Sequence, residues 1–211
     1  MEIAEIFKSI EGETSYVGLP CTFVRFGKCD LDCSYCDTRF AQTDFQDMSV
    51  EEIVNEVEKL NCKLICLTGG EPLLQKDLGI LIEKLTALNY KMLLETNGAN
   101  SIKDIPENVS IILDIKCPKS GMSEKNDWDN LNYISKKDEV KFVITDESDF
   151  HWAIDIVRKY NLCTKTKVMM SPIFVKMNVK DLIKLILDSG EEIRLNLQIH
   201  KYIWGSNKRG V

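Results

Sequence analysis

Phe23-Val24-Arg25-Phe26-Gly27-Lys28-Cys29-Asp30-Leu31-Asp32-Cys33-Ser34-Tyr35-Cys36 runs from an apolar strand pattern into three cysteines within eight residues. Soft thiolates suit iron–sulfur centres, and at C-x3-C-x2-C one loop can wrap one face of a [4Fe–4S] cubane and leave its fourth iron open. Structural zinc is the alternative. It wants four closed ligands in paired short spacings, and the chain has no second pair and only His151 and His200 as imidazoles, although Cys21 offers a fourth sulfur in principle. The spacing therefore favours iron–sulfur. The next apolar run, residues 63–67, leads into Gly69-Gly70-Glu71-Pro72, which taken alone is an ordinary turn before a helix.

Outward from these segments, strand-length apolar runs recur at 21–26, 63–67, 91–95, 110–115, 139–144, 166–170 and 193–199. Helical stripes lie between them at 49–60, 76–88, 147–160 and 178–187, the first opened by a Ser49/Glu52 capping box. Strands alternating with helices predict an α/β fold, a mostly parallel sheet under crossover helices, and six or seven repeats suit an open or partial barrel. Chemistry in such sheets gathers beyond the C-terminal strand ends, where Gly69–Pro72, Glu95-Thr96-Asn97-Gly98 and Asp114-Ile115-Lys116 all fall. Residues 117–136 read as a loop with one short helix.

The chain has 211 residues, enough for one domain spanning 1–211 to bury its core without staples. With 27 basic and 33 acidic side chains and no basic run, a nucleic-acid or membrane-surface partner is not implied. No basic leader and no apolar run near the roughly 18 residues of a membrane span is present, which reads as a soluble, cytoplasmic protein. Eight cysteines in such a setting indicate metal or redox chemistry, with Cys21, Cys62, Cys66, Cys117 and Cys163 expected as small core residues.

Taken together, C-x3-C-x2-C after an early strand and Gly-Gly-Glu-Pro after the next resemble the radical S-adenosylmethionine (SAM) superfamily. That resemblance implies a partial or open (βα)6-like radical SAM barrel. It implies Cys29, Cys33 and Cys36 as cluster ligands, and SAM chelated on the open iron. Around SAM it implies Tyr35, Gly69, Gly70, Glu71, Glu95, Asn97, Lys116 and Ser120, residues whose ordinary alternatives are caps and turns.

A finer likeness covers nearly the whole chain, through Phe7-Lys8-Ser9-Ile10-Glu11-Gly12-Glu13, Gly18-Leu19-Pro20-Cys21-Thr22-Phe23-Val24-Arg25, Cys36-Asp37-Thr38 and His200-Lys201. The chain is similar to the 7-carboxy-7-deazaguanine synthase family. The resemblance implies a lyase of queuosine and 7-deazapurine biosynthesis that converts 6-carboxy-5,6,7,8-tetrahydropterin to 7-carboxy-7-deazaguanine with loss of ammonia. The implied route abstracts hydrogen at pterin C6, contracts the ring and returns the hydrogen. Implied substrate contacts are Ile10, Glu11, Gly12, Glu13, Arg25, Thr68, His200 and the carboxylate of Val211, with Thr38 on a Mg2+ ion. A flavodoxin- or ferredoxin-type reductant and a homodimer are implied as well. The chain departs from the family's usual Ser-Ile-Gln-Gly-Glu-Gly at Glu11 and Thr14.

Physical chemistry offers the same residues plausible work. A pterin presents a donor-rich guanidine-like edge to Glu11 or Glu13, and a carboxylate to the Arg25 fork. The bland alternatives are Glu11 and Glu13 as solvated turn residues, Arg25 as the partner of a neighbouring acid, and Thr38 as a helix cap. His151 is expected on the surface. Two rival readings remain: a glycyl-radical-enzyme activase acting on a partner polypeptide, and a non-catalytic iron–sulfur electron carrier.

Overall fold

Alternation along the apolar runs becomes a sheet with two different faces. A computed structural model describes residues 1–174, 176–206 and 208–211. In chain order the elements are β1 (Glu2–Ile10), β2 (Pro20–Phe26), β3 (Gln46–Asp47), α1 (Val50–Leu60), β4 (Leu64–Gly69), α2 (Leu78–Ala87), β5 (Lys91–Thr96), β6 (Val109–Ile115), β7 (Glu139–Ile144), α3 (Glu147–Tyr160), α4 (Leu162–Lys165), β8 (Lys167–Pro172), α5 (Val179–Ser189), β9 (Ile193–Leu195) and α6 (Ile199–Trp204). Among the described residues nine strands form one open sheet in the order β3-β1-β2-β4-β5-β6-β7-β8-β9. From β2 through β9 all pairings are parallel, while β1 runs antiparallel to β2 and β3.

One face of the sheet is dry. Val24, Phe26, Ile65, Leu67, Met92 and Leu94 meet Ile53 and Val57 of α1 and Leu81 and Leu85 of α2. Val140, Phe142, Ile144, Val168 and Met170 meet Phe150, Ala153, Val157, Leu182 and Ile186 of α3 and α5. Period two then sends Phe23, Arg25, Thr68, Glu95, Ile112, Asp114, Lys141, Val143 and Ser171 to the opposite face, where all of them line a cavity. Register keeps them in step, because Arg25 lies beside Thr68, and Asp114 beside Lys141.

The predicted elements match with informative exceptions. The capping box at α1 is present, with Ser49 Oγ accepting from Glu52 N at 3.2 Å and Glu52 Oε2 accepting from Ser49 N at 2.8 Å. Ser49→Ala is therefore expected to lower unfolding free energy by about 1 kcal/mol, read from a urea melt, without altering the cavity. Residues 117–136 hold three 3-10 turns, Pro118–Ser120, Ser123–Lys125 and Trp128–Asn132, in place of the one short helix expected. The last expected strand, 193–199, stops at Leu195, and Ile199 already begins α6. Strands β1 and β3 were not foreseen. The connection between β5 and β6 has no helix, so the strand–helix repeat is trimmed there. Cys21, Cys62, Cys66 and Cys117 are core residues, whereas Cys163 is only half-buried. No helix among the described residues is long and apolar enough to cross a membrane.

Candidate active site

Beyond the C-terminal ends of the parallel strands lies a cavity of about 810 Å3, large enough for two small molecules. The loop after β2 supplies one wall. Lys28 sits at φ 58°, its amide donates to Ala41 O at 3.0 Å, and its carbonyl accepts from Glu71 N at 2.8 Å. A side chain at Gly70 would put its Cβ 1.6 Å from that carbonyl, so only glycine allows the cysteine loop and the Gly-Gly-Glu-Pro segment to lock together. Farther along, Ser34 N donates to Ser120 O at 3.0 Å, and Arg39 Nη2 to Cys33 O at 2.8 Å.

This loop carries Cys29, Cys33 and Cys36 to the cavity, and no other cysteine among the described residues lines it. All three are free thiols. A tetrahedral zinc ion with bonds of about 2.3 Å would hold its sulfurs about 3.8 Å apart. The three thiols are not gathered within 4.8 Å of one another as a set, so as they stand they do not form a closed single-ion site. Cys29 Sγ accepts from Leu31 N and Asn97 Nδ2, both at 3.5 Å. Burial pushes the Cys29 and Cys33 thiols up, opposed at Cys33 chiefly by the Lys116 ammonium. The residues present therefore fit a three-thiolate iron–sulfur cluster.

Around the thiols stand Tyr35, Gly69, Gly70, Asn97 and Lys116, all on the cavity wall. Asn97 Nδ2 also donates to Asp30 Oδ1 at 2.8 Å, and Lys116 Nζ lies 3.1 Å from Asp114 Oδ2. Burial lowers the Lys116 ammonium and Asp114 more than restores it, so its pKa ends above the ordinary value. Two expected residues lie behind the wall instead. Glu71 is fully buried and accepts from Leu73 N at 3.0 Å, Thr96 Oγ1 at 2.8 Å and Asn97 N at 2.7 Å, bracing the end of β5. Burial still pushes its carboxyl up to about 7. Ser120 Oγ turns back to Cys117 O at 2.6 Å.

The other half of the cavity is charged. Ile10, Glu11, Gly12, Glu13, Arg25, Thr68, Glu95, His200 and Val211 line it, with Thr38 at the rim 3.7 Å from Cys36 Sγ. Arg25 Nε donates to Glu5 Oε1 at 2.8 Å, and its guanidinium lies 6.0 Å from the Phe7 ring centre. That is the neighbouring-acid alternative realised through Nε, and Arg25 also lines the cavity. Thr68 Oγ1 donates to Glu95 Oε2 at 2.6 Å. Glu13 accepts from Lys141 Nζ at 2.9 Å and Gln198 Nε2 at 2.8 Å. Burial raises the Glu13 carboxyl, but Lys141 and Gln198 outweigh it and hold it at about 2. Burial lowers the His200 imidazole. His200 rides on α6 against Gly12, where a Cβ would fall 2.2 Å from its Nδ1. His151 is exposed on α3.

The sequence reading missed Lys141, Gln198 and Glu5 as parts of this wall, while Asp114 lies at the strand-end mouth it expected. Lys141 had one local sign, a lysine at the centre of the apolar β7 run Glu139–Ile144.

A family model described as the radical SAM superfamily matches residues 23–123. The chain is 39% identical to a 7-carboxy-7-deazaguanine synthase of Koribacter versatilis (strain Ellin345), covering 100% of both chains. It is 35% identical to the protein of that name from Chlorobaculum tepidum, covering 100% of this chain and 97% of that one. Among solved structures, QueE from Escherichia coli superposes with a TM-score of 0.75 at 19% identity over 93% of this chain and 92% of that one. Streptococcus suis SuiB bound to S-adenosylmethionine gives a TM-score of 0.56 at 15% identity over 83% of this chain and 51% of that one. At these identities the two structures share the fold.

Proposed function

The chain belongs to the 7-carboxy-7-deazaguanine synthase family of the radical SAM superfamily, and from that premise we propose how its cavity acts on 6-carboxy-5,6,7,8-tetrahydropterin. The observation that carries the reading is one cavity lined both by three thiols, with no fourth cysteine among the described residues, and by Arg25, Glu11 and Glu13. An activase would need an outward docking surface for a polypeptide, and an electron carrier has no use for the charged half.

When bound, the cluster and SAM supply one-electron cleavage that yields a hydrogen-abstracting adenosyl radical. Cys29, Cys33 and Cys36 hold the cluster, and Gly69, Gly70, Asn97 and Lys116 border the SAM beside it. Glu71 and Ser120 act on SAM only indirectly, by fixing β5 and the cysteine loop. Arg25, with Nε held by Glu5, offers its Nη pair to the substrate carboxylate. Ionised Glu13, held by Lys141, accepts from the guanidine-like edge of the pterin. Thr38 would offer one hard oxygen to Mg2+, which would supply a positive charge near the substrate carboxylate. Packed side chains keep bulk water off the reacting carbon and orient it, which is the protein's main contribution. Classification as a carbon–nitrogen lyase, a flavodoxin- or ferredoxin-type reductant, a homodimer, a cytoplasmic location and action as one domain of residues 1–211 belong to the same proposal and rest on the family.

Anaerobic turnover with the carboxypterin, dithionite and limiting SAM tests it by mass spectrometry. A product lighter by one ammonia, formed many times per SAM, is expected, because the elimination needs no external electron pair. Stoichiometric 5′-deoxyadenosine per product, or no deazapurine at all, would contradict the assignment.

A further inference from the structure

Glu11 and Glu95 meet inside the charged half of the cavity, arriving from the turn after β1 and from β5. Glu11 is 1% exposed, and its Oε1 accepts from Glu13 N at 3.1 Å. Its Oε2 is buried with no hydrogen-bond partner. One carboxylate oxygen of each acid and the Cys66 thiol lie within 4.8 Å of one another. Neither nearby cation forms an ion pair with Glu11 or Glu95 among the described residues, since Lys141 holds Glu13 at 2.9 Å and lies 3.8 Å from Asp114, while Arg25 Nε holds Glu5. The remaining titratable groups facing the pair are Glu13 itself and the thiols of Cys21 and Cys66. Two anions so close in a water-poor wall repel strongly, and one proton between them removes the repulsion.

We propose that Glu11 works as a neutral carboxylic acid, carrying the one proton that the Glu11/Glu95 pair retains while Glu95 stays ionised, and recognises a cyclic-amide edge of the substrate by accepting from the ring N–H and donating that proton's hydrogen bond to the adjacent C=O. The inference rests on the pterin reading above, because a pterin ring carries that edge. An ionised carboxylate only accepts, so it could meet the N–H but would repel the carbonyl; a protonated one matches both. Burial and then the Glu95 charge push the Glu11 carboxyl well above the ordinary range, and burial raises Glu95 too. Glu13, two residues on, is held at about 2. One turn thus presents a donor–acceptor acid beside an acceptor-only acid. Because the Glu11 pKa is raised, the binding form exists below it and is lost as pH rises through it.

The test uses the reconstituted full chain with 6-carboxypterin as probe. Its affinity is followed from mildly acidic to alkaline pH beside that of Glu11→Gln, which keeps a donor and an acceptor at every pH and shares any titration of the probe. The wild-type to variant affinity ratio should fall at least tenfold across the range. Infrared spectra of chain carrying 13C-labelled glutamate should show a protonated-carboxyl band at neutral pH that the variant lacks. If the variant does not fold, the wild-type band and its pH titration decide alone. An absent band with pterin binding intact, or a constant affinity ratio, overturns the neutral acid. A divalent ion bound stoichiometrically by wild type and not by Glu11→Gln, with the band absent, overturns it in favour of a Glu11/Cys66/Glu95 metal site. An intact band with no pterin binding by either protein overturns the pterin reading and the amide contact with it.

Discussion

Single replacement of Cys29, Cys33 or Cys36 by alanine is expected to leave the anaerobically reconstituted chain without a stable iron–sulfur cluster, whereas Cys62→Ala and Cys163→Ala should keep full iron and sulfide. The reason is positional. The three loop thiols reach the cavity from one clamped segment, and no further cysteine among the described residues lines it to take over a lost bond. A cubane that keeps one iron open for SAM has no ligand to spare. The controls lie elsewhere, Cys62 donating to Leu64 O and Cys163 to Glu192 O, each at 3.6 Å. Iron and sulfide per chain, with the sulfur-to-iron charge-transfer absorbance, decide the matter. Cluster loss in Cys62→Ala with retention in Cys33→Ala would reverse the ligand assignment.

Arg25→Lys is expected to keep the cluster and SAM binding but lose about 2–4 kcal/mol in kcat/KM for the carboxypterin, about 30- to 1000-fold. The arginine has two proposed tasks at once, Nε toward Glu5 and the Nη pair toward the substrate, and its guanidinium lies 6.0 Å from the centre of the Phe7 ring, which itself stacks on Phe23 with centroids 5.0 Å apart. Lysine brings one compact charge and cannot serve both. Glu5 would then hold the ammonium and leave the substrate carboxylate unpaired. Turnover within a few-fold of wild type would make Arg25 a strand residue paired with Glu5 and nothing more, and loss of the cluster would place the defect in folding.

What the sequence revealed of this site divides along a physical line. The cysteine loop and Gly69–Pro72 were legible because their chemistry is written in consecutive residues: the cluster fixes ligand spacing, and the close approach at Gly70 admits no side chain. Lys141 was not, because its place beside Asp114 depends on register across β6 and β7, which no local pattern encodes. Gln198 and Glu5 depend on contacts across the fold, to Glu13 and Arg25 respectively. Glu71 and Ser120 were placed in the right neighbourhood but on the wrong side of the wall, since a motif gives position along the chain and not the direction of a hydroxyl or carboxyl. Strand β1 escaped notice because Ile3 alone is deeply buried, and a register shift between Ile3 and Glu5 breaks its alternation.

From β2 onward the spatial order of the parallel strands repeats their order in the chain. Each new strand finds its neighbour already made, so a polypeptide emerging from the ribosome never has to hold a gap open for a strand still to be synthesised. The thiol-bearing wall, built on β2, β4 and β5, takes one brace on its cysteine loop from Ser120. The charged wall is different. Glu13 waits for Lys141 and then for Gln198, and Gly12 for Ile199, whose amide donates to its carbonyl at 2.9 Å. The strands that carry the thiols thus come early in the chain, whereas the charged wall takes Gln198 and His200 from its last stretch.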